Sequence, residues 1–252
     1  MSGEVYLAKV SLYNLLVYPV MHNLDMFGVR LMRREQIVNL KKVLPEIPGI
    51  NGSEEYFKAA VLVLLVLLDD EYHLVFQKRA LNIRQGGEIC FPGGHFDPGI
   101  DPDFEHTAIR ETEEELGIAR EKLNIIGKLD TLVAPMGAII NPYVGLAELQ
   151  SLAEITPDKR EVDYVFSVPV THFQKFKPDV YEVSYKNYPS FTDKNGNEII
   201  TFPAHELGLP ERYTRPWGDR SYKVYAYKIN GEIIWGSTAR IVYDFIRRVN
   251  LI

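Results

Sequence analysis

An α/β sandwich built around a mixed sheet is the fold class that this 252-residue sequence predicts, and three observations point to it. Residues Ala59 to Leu68 read AAVLVLLVLL, an apolar run of strand length, rich in Val and Leu and closed by Asp69-Asp70. A run of that kind is a strand buried on both faces. Over about 103–117, Ile109, Thr112 and Leu116 fall on one side at roughly 100° per residue, which is helical spacing. Near the C-terminus, segments at 222–229 and 232–235 flank Asn230-Gly231, a hairpin signal. Strands interspersed with a few helices stack as layers.

The remaining elements follow in order. Residues 4–32 alternate imperfectly (Val5, Leu7, Val10, then Leu15 to Val20), and Arg34 to Leu44 has helical spacing at Ile37, Leu40, Lys41 and Leu44. Pro45, Pro48, Gly49 and Gly52 close this N-terminal extension, residues 1–55. The core, 56–170, opens with the apolar strand and a second strand at 72–79, then carries a loop of arginines and glycines and the helix at 103–117. Strands at 123–132, 142–149 and 162–168 complete it. Residues 171–220 read as an inserted hairpin and loop region, with Tyr181, Tyr185, Tyr188, Phe191, Tyr213 and Trp217 interrupted by prolines and Asn195-Gly196. A hairpin and a helix at 237–248, its Ile241, Phe245 and Val249 side inward, end a single domain.

Composition excludes several classes. With 46% hydrophobic and 25% charged residues the chain can bury one sizeable core, so it is neither disordered nor collagen-like. Its longest apolar run is about half of what a membrane-spanning helix needs. A net charge of −6 argues against nucleic acid as the main partner. Cys90 is the only cysteine, so neither an internal disulfide nor a Cys-rich zinc site can form, and it reads as a buried packing residue. Neither terminus reads as a targeting leader or a peroxisomal address, so cytoplasm is the expected location.

The chemistry concentrates between Phe91 and Ile118, FPGGHFDPGIDPDFEHTAIRETEEELGI. Glu111, Glu114 and Glu115 share one arc of the helix and are expected on one exposed face. Carboxylates at i, i+3 and i+4 repel by roughly 0.7 kcal/mol per pair in water and about 3 kcal/mol at an effective dielectric near 20. A hard divalent cation relieves that repulsion, and Mg²⁺ in particular combines one or two carboxylates with substrate phosphates. A solvated acidic face with an Arg110–Glu114 pair is the plainer alternative. The preceding Gly93-Gly94 turn favours a site.

This segment resembles the Nudix box, G-x5-E-x7-R-E-U-x-E-E-x-G-U. Arg110, Glu111, Glu114, Glu115, Gly117 and Ile118 match its second half, and Gly94 would be its first glycine, placing the box at 94–118. The first half departs from the pattern: two extra residues separate Gly94 from Arg110, and Pro102 stands where the first glutamate belongs. Asp101, Asp103 and Glu105 are the possible substitutes. The resemblance implies a Nudix-type α/β/α sandwich and Mg²⁺ or Mn²⁺ held by Glu111, Glu114 and Glu115. Arg110 would orient the glutamates, and the Gly93-Gly94 backbone would lie close to metal or phosphate. Glu115 on the box helix, or Glu161 or Asp163 on a loop, would take the proton from water.

Immediately upstream, Arg79-Ala80, Arg84 and Gly87-x3-Phe91-Pro92-Gly93-Gly94 are similar to the R-[SA]-x3-R-x3-G-x3-F-P-G-G motif of the coenzyme A pyrophosphatase branch, with one residue fewer between Arg84 and Gly87. Guanidinium forks bind phosphate oxygens bidentately, so Arg79 and Arg84 suit a substrate with three phosphates. The branch implies CoA or an acyl-CoA cleaved to 4′-phosphopantetheine, or its acyl form, and adenosine 3′,5′-bisphosphate. A broader hydrolase of ADP-ribose, NADH or nucleoside triphosphates, and a Nudix-fold binding module without turnover, stand as alternatives. Stacking of adenine on Tyr213 or Trp217 is weighed against aromatic packing of the insert, and no base-binding residue is assigned. His172 and His205 read as loop residues, and the N-terminal 55 residues could form a homodimer surface.

Overall fold

The computed structural model describes residues 34–251, so the alternation expected over 4–32 lies outside the described residues. The described residues fall into two units, 34–51 and 52–251. In the first, α1 (Arg34–Val43) occupies the segment with helical spacing.

The second unit runs β1 (Phe57–Leu68), β2 (Glu71–Arg79), β3 (Ile89–Cys90), β4 (Gly93–His95), α2 (Phe104–Leu116), β5 (Leu123–Lys128), β6 (Leu132–Ala134), β7 (Ala138–Ala147), β8 (Val162–Pro169) and α3 (Val170–Lys175). It continues with β9 (Asp179–Asn187), β10 (Ser190–Thr192), β11 (Glu198–Ile200), β12 (Trp217–Ile229), β13 (Glu232–Trp235) and α4 (Gly236–Val249). Eight strands form the main sheet, with the path β3-β2-β1-β7-β5. β4 joins on β1, β6 on β7 and β8 on β2. The β1–β7 pair is parallel and the others are antiparallel, which makes the sheet mixed.

Strand alternation gives β1 two apolar faces. Leu62, Leu64 and Val66 pack with Val75 and with Ala108 and Leu116 of α2. Val63 and Leu65 face the other way, into a core with Leu74, Phe76, Phe91 and the Ile241, Val242 and Phe245 side of α4. Helices on both faces of a mixed sheet are the α/β/α sandwich expected from the sequence. Each fully buried Leu or Phe contributes about 1.5–3 kcal/mol, so these two cores fix the sheet between the helices. The β1–β2 turn places Asp69 and Asp70 at φ 48° and 63°, and the β12–β13 turn places Asn230 and Gly231 at φ 51° and 86°. Both are two-residue turns with two positive φ values, the geometry that matches strand twist.

Helix α2 begins where Asp103 caps it, accepting from the His106 amide at 2.9 Å, and ends at Gly117, whose φ of 65° lets its N–H reach the Glu113 carbonyl. The strand expected at 123–132 is instead two, β5 and β6. Pro142 of β7 lies opposite the break and has no N–H for a ladder; only its carbonyl is used, accepting from Leu129 at 2.9 Å. β7 starts at Ala138, earlier than the expected 142, because β1 pairs with it from Ala138 onward. Within 171–220, α3 and β9 are regular elements, and β9 pairs with β12 in a three-stranded sheet of order β13-β12-β9. His172 lies in α3, with its ring 4.8 Å from that of Phe176, so the loop expected for it is corrected to a helix. His205 sits in a turn.

Candidate active site

The three box carboxylates are not equally exposed. The Glu114 side chain is 59% exposed and that of Glu111 16%, whereas Glu115 is buried at 4%. The expectation of one exposed acidic face is therefore corrected: β4 lies across the helix and covers Glu115, whose Oε2 accepts from the Gly93 amide at 2.9 Å. Burial pushes the Glu115 carboxyl up to about 7, with the Gly93 hydrogen bond pulling the other way. Burial also raises Glu111, opposed by Arg110.

Arg110 ties the site together. Its Nε and Nη2 donate to the two oxygens of Asp101, both at 2.9 Å. Nη1 donates to Glu111 at 2.9 Å and to Glu114 at 3.1 Å, and Nη2 also reaches the His95 carbonyl at 3.3 Å. Asp101 is buried and further accepts from Thr107 Oγ1 and the Asp97 amide. Of the three possible substitutes for the missing first glutamate, Asp101 is thus the one engaged with Arg110, while Asp103 caps the helix. The Arg110 guanidinium holds Asp101 well below the usual carboxylate range, and Asp101 in turn raises Arg110.

The glycine turn is required by close approach. A Cβ on Gly94 would stand 2.4 Å from the Glu111 carboxyl carbon, and one on Gly93, at φ 149°, would stand 2.3 Å from the Ala60 carbonyl oxygen. The β4 backbone therefore runs against both the sheet and the helix carboxylates.

The arginine loop leaves the end of β2 and folds back on itself. Arg79 Nε donates to the Arg84 carbonyl at 3.1 Å, and Gly86 sits so close to the Ala80 and Leu81 carbonyls that a Cβ would clash with both. Arg84 places its guanidinium 5.8 Å from the centre of the Phe57 ring, which lies 5.1 Å from the ring of His95. The positive charge of Arg79 favours the ionised form of Glu115. Both arginines thus border the box. Glu161 is close enough for its charge to raise Glu111, and its carbonyl accepts from the Ala80 amide. Asp163 is exposed, with its carbonyl accepting from Lys159 Nζ at 2.6 Å. Tyr213 and Trp217 pack edge-on at 5.5 Å, with Phe202 5.7 Å from Trp217. Cys90 is half-buried, and burial pushes its thiol up to about 11, which removes it as a nucleophile at neutral pH.

Sequence reasoning missed Gln77. It is fully buried on β2, near enough to bias both Glu115 and Cys90 as a donor, yet neither amide atom closes a hydrogen bond of good geometry. A polar residue in the middle of an apolar strand was its only signal. His95 was likewise unremarked, because its part is played by its backbone carbonyl.

A family model for the NUDIX domain matches residues 57–191, more than half of the chain. The chain belongs to the Nudix family. The match spans Gly94 to Ile118, the segment that resembles the Nudix box. Among curated relatives, the peroxisomal coenzyme A diphosphatase NUDT7 of Mus musculus is 36% identical over 125 residues, 49% of this chain and 51% of that protein. The mitochondrial coenzyme A diphosphatase NUDT8 of Homo sapiens is 40% identical over 119 residues, 45% of this chain and 49% of that protein. This chain spans about half the length of both. An uncharacterized Nudix hydrolase, NudL, of Photorhabdus laumondii is 26% identical over 76% of this chain and 85% of its own length. Among the described residues no helix is long and apolar enough to cross a membrane.

The donor set of the Nudix box fits a hard divalent cation, since Glu111, Glu114 and Glu115 offer only carboxylate oxygens. Among the described residues these side chains are not gathered into a three-donor cluster, because Arg110 holds Glu111 and Glu114 while the Gly93 amide holds Glu115. A cation would have to compete with Arg110 for them.

The raised Glu115 carboxyl gives a stability prediction for chelator-treated protein. Its folded value, about 7, lies above the ordinary 4.5. Its contribution is therefore full below pH 4.5 and is lost as pH rises through 7. Glu115→Gln cannot ionise, so relative to wild type it should gain on the order of 2–3 kcal/mol between pH 4.5 and 8. Urea melts of both proteins across that range check it, and parallel pH profiles would contradict the buried, protonatable carboxyl.

Proposed function

We propose that this chain hydrolyses the diphosphate bond of coenzyme A or its acyl derivatives, giving 4′-phosphopantetheine, or its acyl form, and adenosine 3′,5′-bisphosphate. The single observation that carries the reading is the Arg79–Arg84 loop folded beside the box, with cations at the rim of a carboxylate site. The coenzyme A diphosphatase names of the mouse and human relatives support the same substrate.

Glu111, Glu114 and Glu115 would hold Mg²⁺ or Mn²⁺, which when bound neutralises phosphate charge and acidifies a water. The protein's own work is then to position and to move a proton. Arg110, clamped by Asp101, sets the directions of Glu111 and Glu114. Gly93 and Gly94 bring backbone close to the phosphates without side-chain obstruction. Arg79 and Arg84 take phosphate oxygens. Water oxygen bonds to one phosphorus as the bridging P–O bond breaks, one water proton goes to a carboxylate, and the leaving phosphate departs as a monoester. Glu115, with its carboxyl near 7, is matched to accepting that proton at neutral pH. Glu161 is the loop rival, favoured by the reach of its charge to Glu111.

Arg84 is exposed, so it suits a role in choosing substrate. Arg84→Ala should lower kcat/KM for CoA by about tenfold, the loss of one charge-assisted hydrogen bond, and lower that for ADP-ribose by less. Steady-state kinetics on both substrates check this. Equal losses would show that Arg84 does not read the groups peculiar to CoA.

A broader Nudix hydrolase of ADP-ribose, NADH or nucleoside triphosphates is the second reading. It is favoured by the missing residue between Arg84 and Gly87.

A further inference from the structure

Strand β9 is exposed along all nine residues and on both faces, which is unusual for a strand inside a sheet of three. It pairs with β12 on one side, and among the described residues no strand pairs with its other side. An open edge is a template for another strand unless it is shortened, bulged, broken by proline or guarded by charged side chains, and the charges on β9 are of both signs, so a partner with matching charges can still pair with it. β9 reads Asp-Val-Tyr-Glu-Val-Ser-Tyr-Lys-Asn, with no proline and no glycine, and the one irregularity of the pair falls on the β12 side, between Trp217 and Arg220.

Its two faces have opposite character. Tyr181 lies opposite Val224 and Val183 opposite Tyr222, so Tyr181, Val183 and Tyr185 share the face that Tyr225 and Tyr227 turn away from. Tyr225 and Tyr227 belong to the core with α4, so this apolar stripe is not the one that the helix covers. Tyr181, Val183 and Tyr185 remain 51%, 42% and 41% exposed. The other face carries Val180, Glu182, Ser184 and Lys186, with Glu182 opposite Lys223, and Lys186 bonded to Asp219 at 2.9 Å.

The strand is complementary to itself. Laid antiparallel against a second β9 with Ser184 on the two-fold axis, Glu182 meets Lys186 of the second copy, and Lys186 meets its Glu182. On the other face Val183 meets Tyr185 of the second copy, twice by symmetry. Opposite charges and aromatic–β-branched pairs are the favourable cross-strand combinations, each about 0.2–1 kcal/mol. Serines meeting on the axis can hydrogen-bond. We propose that β9 is the contact edge of a symmetric dimer of this chain, in which β9 pairs antiparallel with β9 of a second copy and the two three-stranded sheets become one of six. This is an isologous, closed contact, and it is independent of the activity proposed above.

Charge reversal tests it on the full chain by analytical ultracentrifugation. Wild type should show a concentration-dependent monomer–dimer equilibrium. Glu182→Lys sets lysine against lysine twice, and Lys186→Glu sets glutamate against glutamate twice. Each should raise the dimer Kd by about tenfold or more. Mixing the two variants restores opposite charges at both positions, so the mixture should form a heterodimer with near wild-type affinity. Circular dichroism of each variant confirms the fold, and the rescue by mixing cannot come from misfolded chains. A monomeric wild type at all concentrations, a dimer indifferent to either reversal, or a mixture that stays monomeric would overturn the proposal.

Discussion

Glu114→Gln is expected to lower diphosphate turnover by about 10²–10³-fold, the equivalent of several kcal/mol of transition-state stabilisation, while changing stability by less than about 0.5 kcal/mol. The asymmetry follows from exposure. Glu114 is the most open of the three box glutamates at 59%, and among the described residues its one ion pair is the 3.1 Å bond to Arg110, a surface contact of small worth. Glutamine keeps the size and a hydrogen-bonding oxygen but loses the charge. Turnover with Mg²⁺ or Mn²⁺ and a thermal melt, measured on the same preparation, separate the two effects. Near-normal turnover would remove Glu114 from the chemistry. Glu115→Gln and Glu161→Gln in the same assay apportion the base: whichever flattens the pH–rate profile holds the proton.

The second large effect is structural. Asp101→Ala should cost about 3 kcal/mol, because it removes both carboxylate oxygens from Arg110 and leaves the Asp97 amide without its acceptor, while the Thr107 hydroxyl keeps only its 3.3 Å bond to the Asp103 carbonyl. For a protein of this size that lowers Tm by about 6–12 °C. With its guide lost, Arg110 no longer sets Glu111 and Glu114, so turnover should fall as well. Asp101 also predicts a pH dependence. Its carboxyl is depressed when folded, so its stabilisation is present above an unfolded value of about 3.9 and is lost as pH falls below it. The stability gap between wild type and Asp101→Asn should therefore narrow from pH 5 to pH 2. A gap that is constant or widens would mean that the Asp101–Arg110 pair is not formed in solution.

The sequence carried the sandwich because its strong signals are local. Ala59–Leu68 could only be a strand buried on both faces, Asn230-Gly231 could only turn, and the box helix is bounded by Asp103 and Gly117. What stayed hidden depends on partners distant along the chain. Periodicity places Glu115 on an acidic arc, and only the passage of β4 over that arc buries it. Pro142 reads as a boundary from the sequence, yet it lies inside β7 because β1 pairs along the strand's whole length while β5 and β6 divide around it. β9 was obscured by the prolines on either side of it and because its partner β12 begins thirty residues later. Asp101 could be narrowed to one of three acids but not chosen, since the choice rests on the bend that brings it under Arg110.

The most direct measurement of the central claim is mass-spectrometric product analysis after incubating the purified chain with Mg²⁺ or Mn²⁺ and, separately, CoA, ADP-ribose, NADH and a nucleoside triphosphate. Adenosine 3′,5′-bisphosphate and 4′-phosphopantetheine appearing from CoA faster than any other cleavage is the predicted result. Faster cleavage of another of these substrates, or no cleavage of CoA, would contradict it.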